Sequence, residues 1–155
     1  MYDGFREMFD EVSRRLPEVD VSIFAAAVAD FRPVDPAEGK LKRADVGPNM
    51  ELMLTENPDV AGGTRESRKA GSIAVGFALE TASLLENGQK KLESKEFDLL
   101  VANGATEEGA GFEVETNRVT LLSDGDPAEQ LPLLSKDEVA EIILDRITGF
   151  VESRQ

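Results

Sequence analysis

Asp30, Lys40, Asp59, Lys91 and Lys95 are the residues whose types and spacing point to chemistry. Asp30 closes the run Val21–Asp30 (VSIFAAAVAD), which passes straight into Phe31-Arg32-Pro33. A carboxylate at the end of a strand can accept hydrogen bonds or help hold a metal, and the same pattern fits a central strand with a solvated terminal Asp. Gly39 then precedes Lys40-Leu41-Lys42-Arg43, which gathers three cations in four residues. A lysine behind a glycine suits a phosphate clamp, although alternating lysines also occur on a solvated strand. Asn57-Pro58-Asp59 forms a turn into Val60-Ala61, with Asp59 placed to cap a short helix whose first N–H groups suit an anion. Lys91 and Lys95 stand four apart and share one helical face, either as phosphate ligands or as a solvated basic face paired with Glu93 or Glu96.

The composition narrows what these groups could do. The chain has 155 residues, 31 acidic against 17 basic, a formal net charge of −14, and neither Cys nor His. That length suits one domain with a real core. The charge argues against a nucleic-acid or anionic-membrane surface, but not against a small anionic ligand met by a few gathered cations. Without Cys or His there is no disulfide frame, thiolate or imidazole metal site, Ser-His triad or histidine base. Chemistry must use carboxylates, Lys, Arg, hydroxyls, backbone groups or a bound Mg²⁺. The sequence has neither a membrane-length apolar run nor a signal-peptide pattern, so the expected location is cytoplasmic.

The elements that must position these residues are also readable. Tyr2–Leu16 is an amphipathic helix, with Phe5, Met8, Phe9, Val12 and Leu16 on one face and Pro17 at its end. Val21–Phe24 opens as a buried strand, and the alanines after it (Ala25, Ala26, Ala27, Ala29) let a flat ligand approach the backbone. Glu51–Leu54 reads as a short strand and Ser72–Leu79 as a long apolar one. In the latter, Gly76 implies a close approach, and Phe77 is either a core aromatic or a stacking one. Ser83-x-x-Glu86 is a capping box opening a helix to about Lys95. Asp98–Ala102 is a third buried strand, followed by a loop over Ala105–Gly111. Arg118–Leu122 is a further strand, and Leu131-Pro132-Leu133 a short edge segment. Ser135-x-x-Glu138 caps a last helix burying Val139, Ile142, Ile143, Ile147 and Phe150. Long strands separated by helices imply a mostly parallel sheet covered on both faces. The fold class is therefore α/β, a Rossmann-like three-layer sandwich in one domain. In such sheets ligands bind outside the carboxyl ends of the strands.

Taken in order, AAAVADFRP, GKLKR, ENPDV, VGFALET, KKLESKEFDLLVANGA and TNRVTLL–DG–LPLLSKDEVAEIILDRI resemble the phosphopantothenoylcysteine synthetase (phosphopantothenate–cysteine ligase) family, from about Phe5 to Ile147. That family is the ligase half of the bifunctional coenzyme A biosynthesis protein. The resemblance implies a ligase joining 4′-phosphopantothenate to cysteine. CTP and Mg²⁺ activate the carboxylate as an acyl-cytidylate, pyrophosphate leaves, and cysteine then displaces CMP. It implies nucleotide contacts from Phe24, Ala25 and Ala26 at the strand end, from Asp30, from Pro58, Asp59, Val60 and Ala61, from Phe77, and from the lysine pair Lys91 and Lys95. Lys40 matches the family's essential lysine and is the expected catalytic residue. Mg²⁺ would be held mainly by the nucleotide phosphates. FMN belongs only to a fused decarboxylase domain.

The sequence departs from the family in lacking the upstream βαβ unit with its GGTREP-type turn and SSGKMG-type segment; GGT at Gly62–Thr64 follows no strand. The expectation is a domain truncated at its N-terminus, associating with the missing half, with a decarboxylase domain, or as a homodimer through the region around Arg118–Leu133. Two other readings stand beside it. One is a non-catalytic nucleotide-binding or assembly remnant, which would bind without turnover. The other is a nicotinamide or flavin enzyme, which the lack of G-x-G-x-x-G after any strand disfavours.

Overall fold

The computed structural model describes residues 4–80, 83–104 and 116–154. Helix α1 (Gly4–Arg15) presents Phe5, Phe9 and Val12 half-buried, and a 3₁₀ turn over Leu16–Glu18, with Pro17 in its first turn, anchors it through buried Leu16. Strand β1 (Val21–Phe24) follows, then β2 (Phe31–Pro33), a single helical turn α2 (Arg43–Val46), β3 (Leu54–Glu56) and the short helix α3 (Val60–Gly63). The long strand β4 (Ile73–Glu80), helix α4 (Leu84–Ser94) and strand β5 (Leu99–Gly104) form the βαβ heart of the molecule. Beyond the loop expected at Ala105–Gly111, which lies outside the described residues, come β6 (Thr116–Asn117), β7 (Val119–Leu122), β8 (Glu129–Gln130), β9 (Leu134–Ser135) and helix α5 (Lys136–Ser153).

The main sheet has the order β1-β4-β5-β7-β8 among the described strands. β1, β4 and β5 run parallel, β7 runs antiparallel to β5, and β8 antiparallel to β7. Side chains alternate across the strands, which splits the core in two. On one face Ile73, Val75, Leu99 and Val101 pack under Val139, Ile143 and Ile147 of α5. On the other, Ala74, Leu100 and Leu122 pack with Leu92 of α4 and Phe97. The expected mostly parallel, three-layer α/β arrangement is therefore present. No helix among the described residues is long and apolar enough to cross a membrane.

Several expectations are corrected in detail. β1 is not buried: among the described strands it pairs only with β4, and Ile23 is 48% exposed. An apolar local pattern cannot reveal how many of a strand's sides are paired. The strand expected at Glu51–Leu54 runs instead from Leu54 to Glu56, and it pairs antiparallel with Phe31–Pro33. Pro33 is tolerated because this is a two-stranded ribbon where a missing N–H leaves no central ladder broken. The Ser83 capping box does not form. Ser83 adopts left-handed φ/ψ (49°, 45°) and makes no side-chain cap, whereas a cap needs an extended backbone. The Ser135–Glu138 box forms fully, and α5 buries Val139, Ile143 and Ile147 while Ile142 and Phe150 stay half-buried. In place of an edge segment at Leu131–Leu133, β8 and β9 flank it, with Leu131 buried between them. Within Arg118–Leu133, β7 is enclosed between β5 and β8, so only β8 offers a sheet edge.

Candidate functional site

A cleft of about 1020 Å³ runs along β1, from the α1 residues Met8 and Val12 and the α5 residues Val139 and Ile143 to the carboxyl end of the strand. Strand β1 stops at Phe24, and Ala25–Ala29 continue without regular structure, mostly exposed. Side chains no larger than methyl at Ala25–Ala27 leave the backbone open to a ligand. The strand end is fixed to the Asn57 turn by two bonds: Asn57 Nδ2 donates to the Ala29 carbonyl and Asn57 N to the Asp30 carbonyl, each at 2.7 Å. Arg32 Nη1 secures the turn from behind by donating to the Glu56 carbonyl and to Asn57 Oδ1. Asn57 thus aligns the two loops, a role hidden in the sequence because the turn reads as ordinary Asx-Pro chemistry.

Asp59 caps α3, its carboxylate accepting from Gly62 N at 3.1 Å. The expected free N–H groups at this helix start are therefore engaged by Asp59 itself. Lys95 Nζ reaches the same carboxylate at 3.0 Å. One turn earlier on α4, Lys91 Nζ lies 2.6 Å from Glu80 Oε1, whose other oxygen accepts from Asn87 Nδ2. The Glu80 side chain is only 9% exposed, so Lys91 neutralises a nearly buried charge. Both lysines thus point to long-range partners rather than to Glu93 or Glu96. Burial alone would raise the Asp59 carboxyl. The Gly62 N–H, the Lys95 ammonium and its charge, and the Ala61 N–H outweigh that and hold it below its ordinary value.

A carboxyl lowered in the folded state contributes stability that is complete above its ordinary value of 3.8 and is lost as pH falls through the lowered one. Asp59→Asn should therefore flatten the acid limb of the unfolding free energy, measured by denaturant titration at successive pH values. An acid limb identical to wild type would show that the cap and ion pair leave no net mark on folding.

Phe24, Ala25, Ala26, Asp30, Pro58, Asp59, Val60, Ala61, Phe77, Lys91 and Lys95 all line the cleft. Phe77 is 40% exposed on its wall, as a stacking residue would be. Lys40 is not brought there. It is exposed, in an irregular stretch just before α2, and it does not line the cleft. The segment around it exposes at least half of Phe31, Val34, Leu41, Met50, Leu52 and Met53. No cluster of three or more metal-ligating side chains occurs among the described residues. The arrangement offers a flat small-residue floor, an aromatic wall and two cations held on carboxylates, which suits a ligand with a planar ring and a phosphate tail.

A family model described as the DNA/pantothenate metabolism flavoprotein C-terminal domain matches residues 3–150. The coenzyme A biosynthesis bifunctional protein CoaBC of Vibrio vulnificus is 39% identical over 146 residues, covering 94% of this chain and 36% of that protein. The chain thus spans about a third of the length of the curated relatives it matches. The crystal structure of a CoaBC C-terminal domain superposes with a TM-score of 0.72 at 30% identity, covering 96% of this chain and 63% of that one. A Cab2 mutant in complex with phosphopantothenate-cysteine shares the fold, with a TM-score of 0.61 at 20% identity over 84% of this chain and 46% of that one.

Proposed function

This chain belongs to the DNA/pantothenate metabolism flavoprotein C-terminal domain family, and from that premise we propose that it serves coenzyme A biosynthesis as a phosphopantothenate–cysteine ligase domain using CTP. The observation that carries this reading is the convergence on one cleft of the strand end, the Asn57–Ala61 turn, Phe77 and the lysine pair.

In this reading Ala25 and Ala26 admit the nucleotide against the backbone, and Phe77 flanks its planar part. The carboxylate of 4′-phosphopantothenate attacks the α-phosphate of CTP, and pyrophosphate leaves. The cysteine amine then attacks the acyl carbon, and CMP departs with the electron pair of the acyl–oxygen bond. Two anions must meet in the first step, so the charge developing on the phosphates has to be met by fixed cations. Lys91 and Lys95 supply them in an otherwise acidic chain. Mg²⁺, held mainly by the phosphates themselves, would share that neutralisation, with Asp30 on the cleft wall as the side chain suited to orient it or the ribose. Lys40 is proposed to stabilise acyl-cytidylate formation, which requires its exposed segment to fold in over the bound triphosphate.

Calorimetric titration with CTP and Mg²⁺, with ATP as control, tests the reading. It is run on this chain alone and with the remainder of a relative's ligase domain added. CTP binding in either form supports it, and turnover in the second form separates a ligase from a non-catalytic nucleotide-binding remnant. Absence of binding in both removes the nucleotide function. In the complemented form, Lys40→Ala should lower pyrophosphate release about a hundredfold, the usual loss for one fixed charge-stabilising group. A rate within twofold of wild type removes Lys40 from the mechanism.

A further inference from the structure

Behind the cleft, the Arg68 guanidinium joins elements that the sequence keeps far apart. Its Nη1 donates to the carbonyls of Lys95 at 3.0 Å and Glu96 at 2.7 Å, and its Nη2 donates to the Ala61 carbonyl at 3.0 Å. The guanidinium carbon also lies 5.4 Å from the Phe24 ring centroid and 5.5 Å from that of Phe97. Arg68 does not line the cleft. All but the Glu96 contact, however, fall on residues that line it: Phe24 ends β1, Ala61 lies two residues beyond the Asp59 cap, Lys95 carries the cation paired with Asp59, and Phe97 follows the end of α4.

The chemistry selects arginine. At the end of helix α4 the N–H groups of Lys95, Glu96 and Phe97 close the Lys91, Glu93 and Leu92 carbonyls. Glu96 takes a left-handed φ of 51° that turns the chain toward β5, and the Lys95 and Glu96 carbonyls just beyond the helix are the ones Arg68 meets. A cation is favoured at such an end. Only a planar, forked donor can serve carbonyls from two segments while lying against two aromatic rings. A lysine ammonium keeps the charge but loses the fork.

We propose that Arg68 is a positioning residue for phosphate binding: by gripping the main chain of Lys95 and Ala61 together, it holds the Lys95 ammonium on Asp59 at the cleft. The ligand part of this inference rests on the nucleotide reading above. The positioning part stands on the contacts alone, and the test keeps the two apart.

The direct readout is the titration of the Asp59 carboxyl, followed by NMR of its side-chain carbon. Asp59 faces the Lys95 ammonium and the N–H groups of Gly62 and Ala61, which together hold it low. In Arg68→Met and Arg68→Lys that carboxyl should titrate higher than in wild type. Lys95→Met should raise it too, and adding Arg68→Met to Lys95→Met should raise it little further, because the two act through one contact. A purely structural brace would lower the unfolding midpoint without moving Asp59. An unshifted Asp59 in folded Arg68→Lys therefore overturns the proposal, as does full additivity in the double variant. Arg68→Lys, which keeps the charge and most of the volume, serves where Arg68→Met does not fold. CTP–Mg²⁺ affinity is the second readout, with an expected loss of about tenfold in both Arg68 variants. If wild type binds no CTP while Asp59 shifts as stated, the nucleotide reading falls and the positioning role stands.

Discussion

Alanine at Gly76 should lower the unfolding free energy by about 3 kcal/mol, the upper end of the usual cost of overpacking a core. Gly76 sits mid-sheet, in register with Phe24 on one side and Leu100 on the other. A Cβ there would lie 2.2 Å from Cε2 of Phe97 and 2.5 Å from its Cδ2, far inside contact distance. The ring has little room to yield. It is 7% exposed, its centroid lies 5.7 Å from that of Phe24, and the Arg68 guanidinium lies against it. Replacing glycine in a strand recovers only about 0.5–1 kcal/mol of chain entropy, so the clash decides the sign. Displacing Phe97 also disturbs the packing behind the cleft, so ligand affinity should fall together with stability. Equilibrium denaturation measures the first effect. A loss below about 0.5 kcal/mol would show that the ring slides aside and that the sheet tolerates a side chain there.

Removing both cleft lysines, Lys91→Ala with Lys95→Ala, should weaken CTP–Mg²⁺ binding at least a hundredfold. The magnitudes favour transfer of the Lys95 cation to a ligand. The Lys95–Asp59 pair, with side chains 29% and 54% exposed, belongs to a class worth about 0–1 kcal/mol, whereas the Lys91 ammonium holds the nearly buried Glu80 carboxylate and is costlier to withdraw. A charge-assisted hydrogen bond to phosphate contributes about 1.5–3 kcal/mol, so the phosphate prevails at Lys95, while Lys91 adds its charge from beside Glu80. The double variant leaves Glu80 nearly buried with Asn87 but without its cation, which by itself reduces stability. Glu80→Gln in the same background restores neutrality and isolates the binding effect. Affinity within threefold of wild type in a folded triple variant would return both lysines to a solvated helix face.

How much of this was legible can be argued residue by residue. Strands β4 and β5 were readable because both faces of each are covered, so they are continuously apolar. Helix α5 was readable because its cap and its stripe agree. The cleft residues were readable as a set through the resemblance, and their convergence follows from the parallel order of β1, β4 and β5. That β1 has a single partner among the described strands was not readable, because strand pairing is non-local. The lysine partners were missed for the same reason. The helical i,i+4 rule offers local candidates, whereas Asp59 lies 36 residues from Lys95. Arg68 sits in a polar stretch that carries no pattern, and only the tertiary fold gives its guanidinium three carbonyls and two rings.

The pairing of β1 with β4 also bears on how the molecule holds itself together. Pairing Val21 with Ile73 closes a loop of about fifty residues, whereas β7 and β8 meet within one short turn. Long closures cost more chain entropy to make. The cleft floor therefore rests on the strand whose pairing closes the longest loop among the described strands. A molecule bound there presses on that equilibrium directly, since whatever binds only the closed edge adds its own free energy to keeping it closed. Occupancy and folding at this end of the sheet are thermodynamically one event.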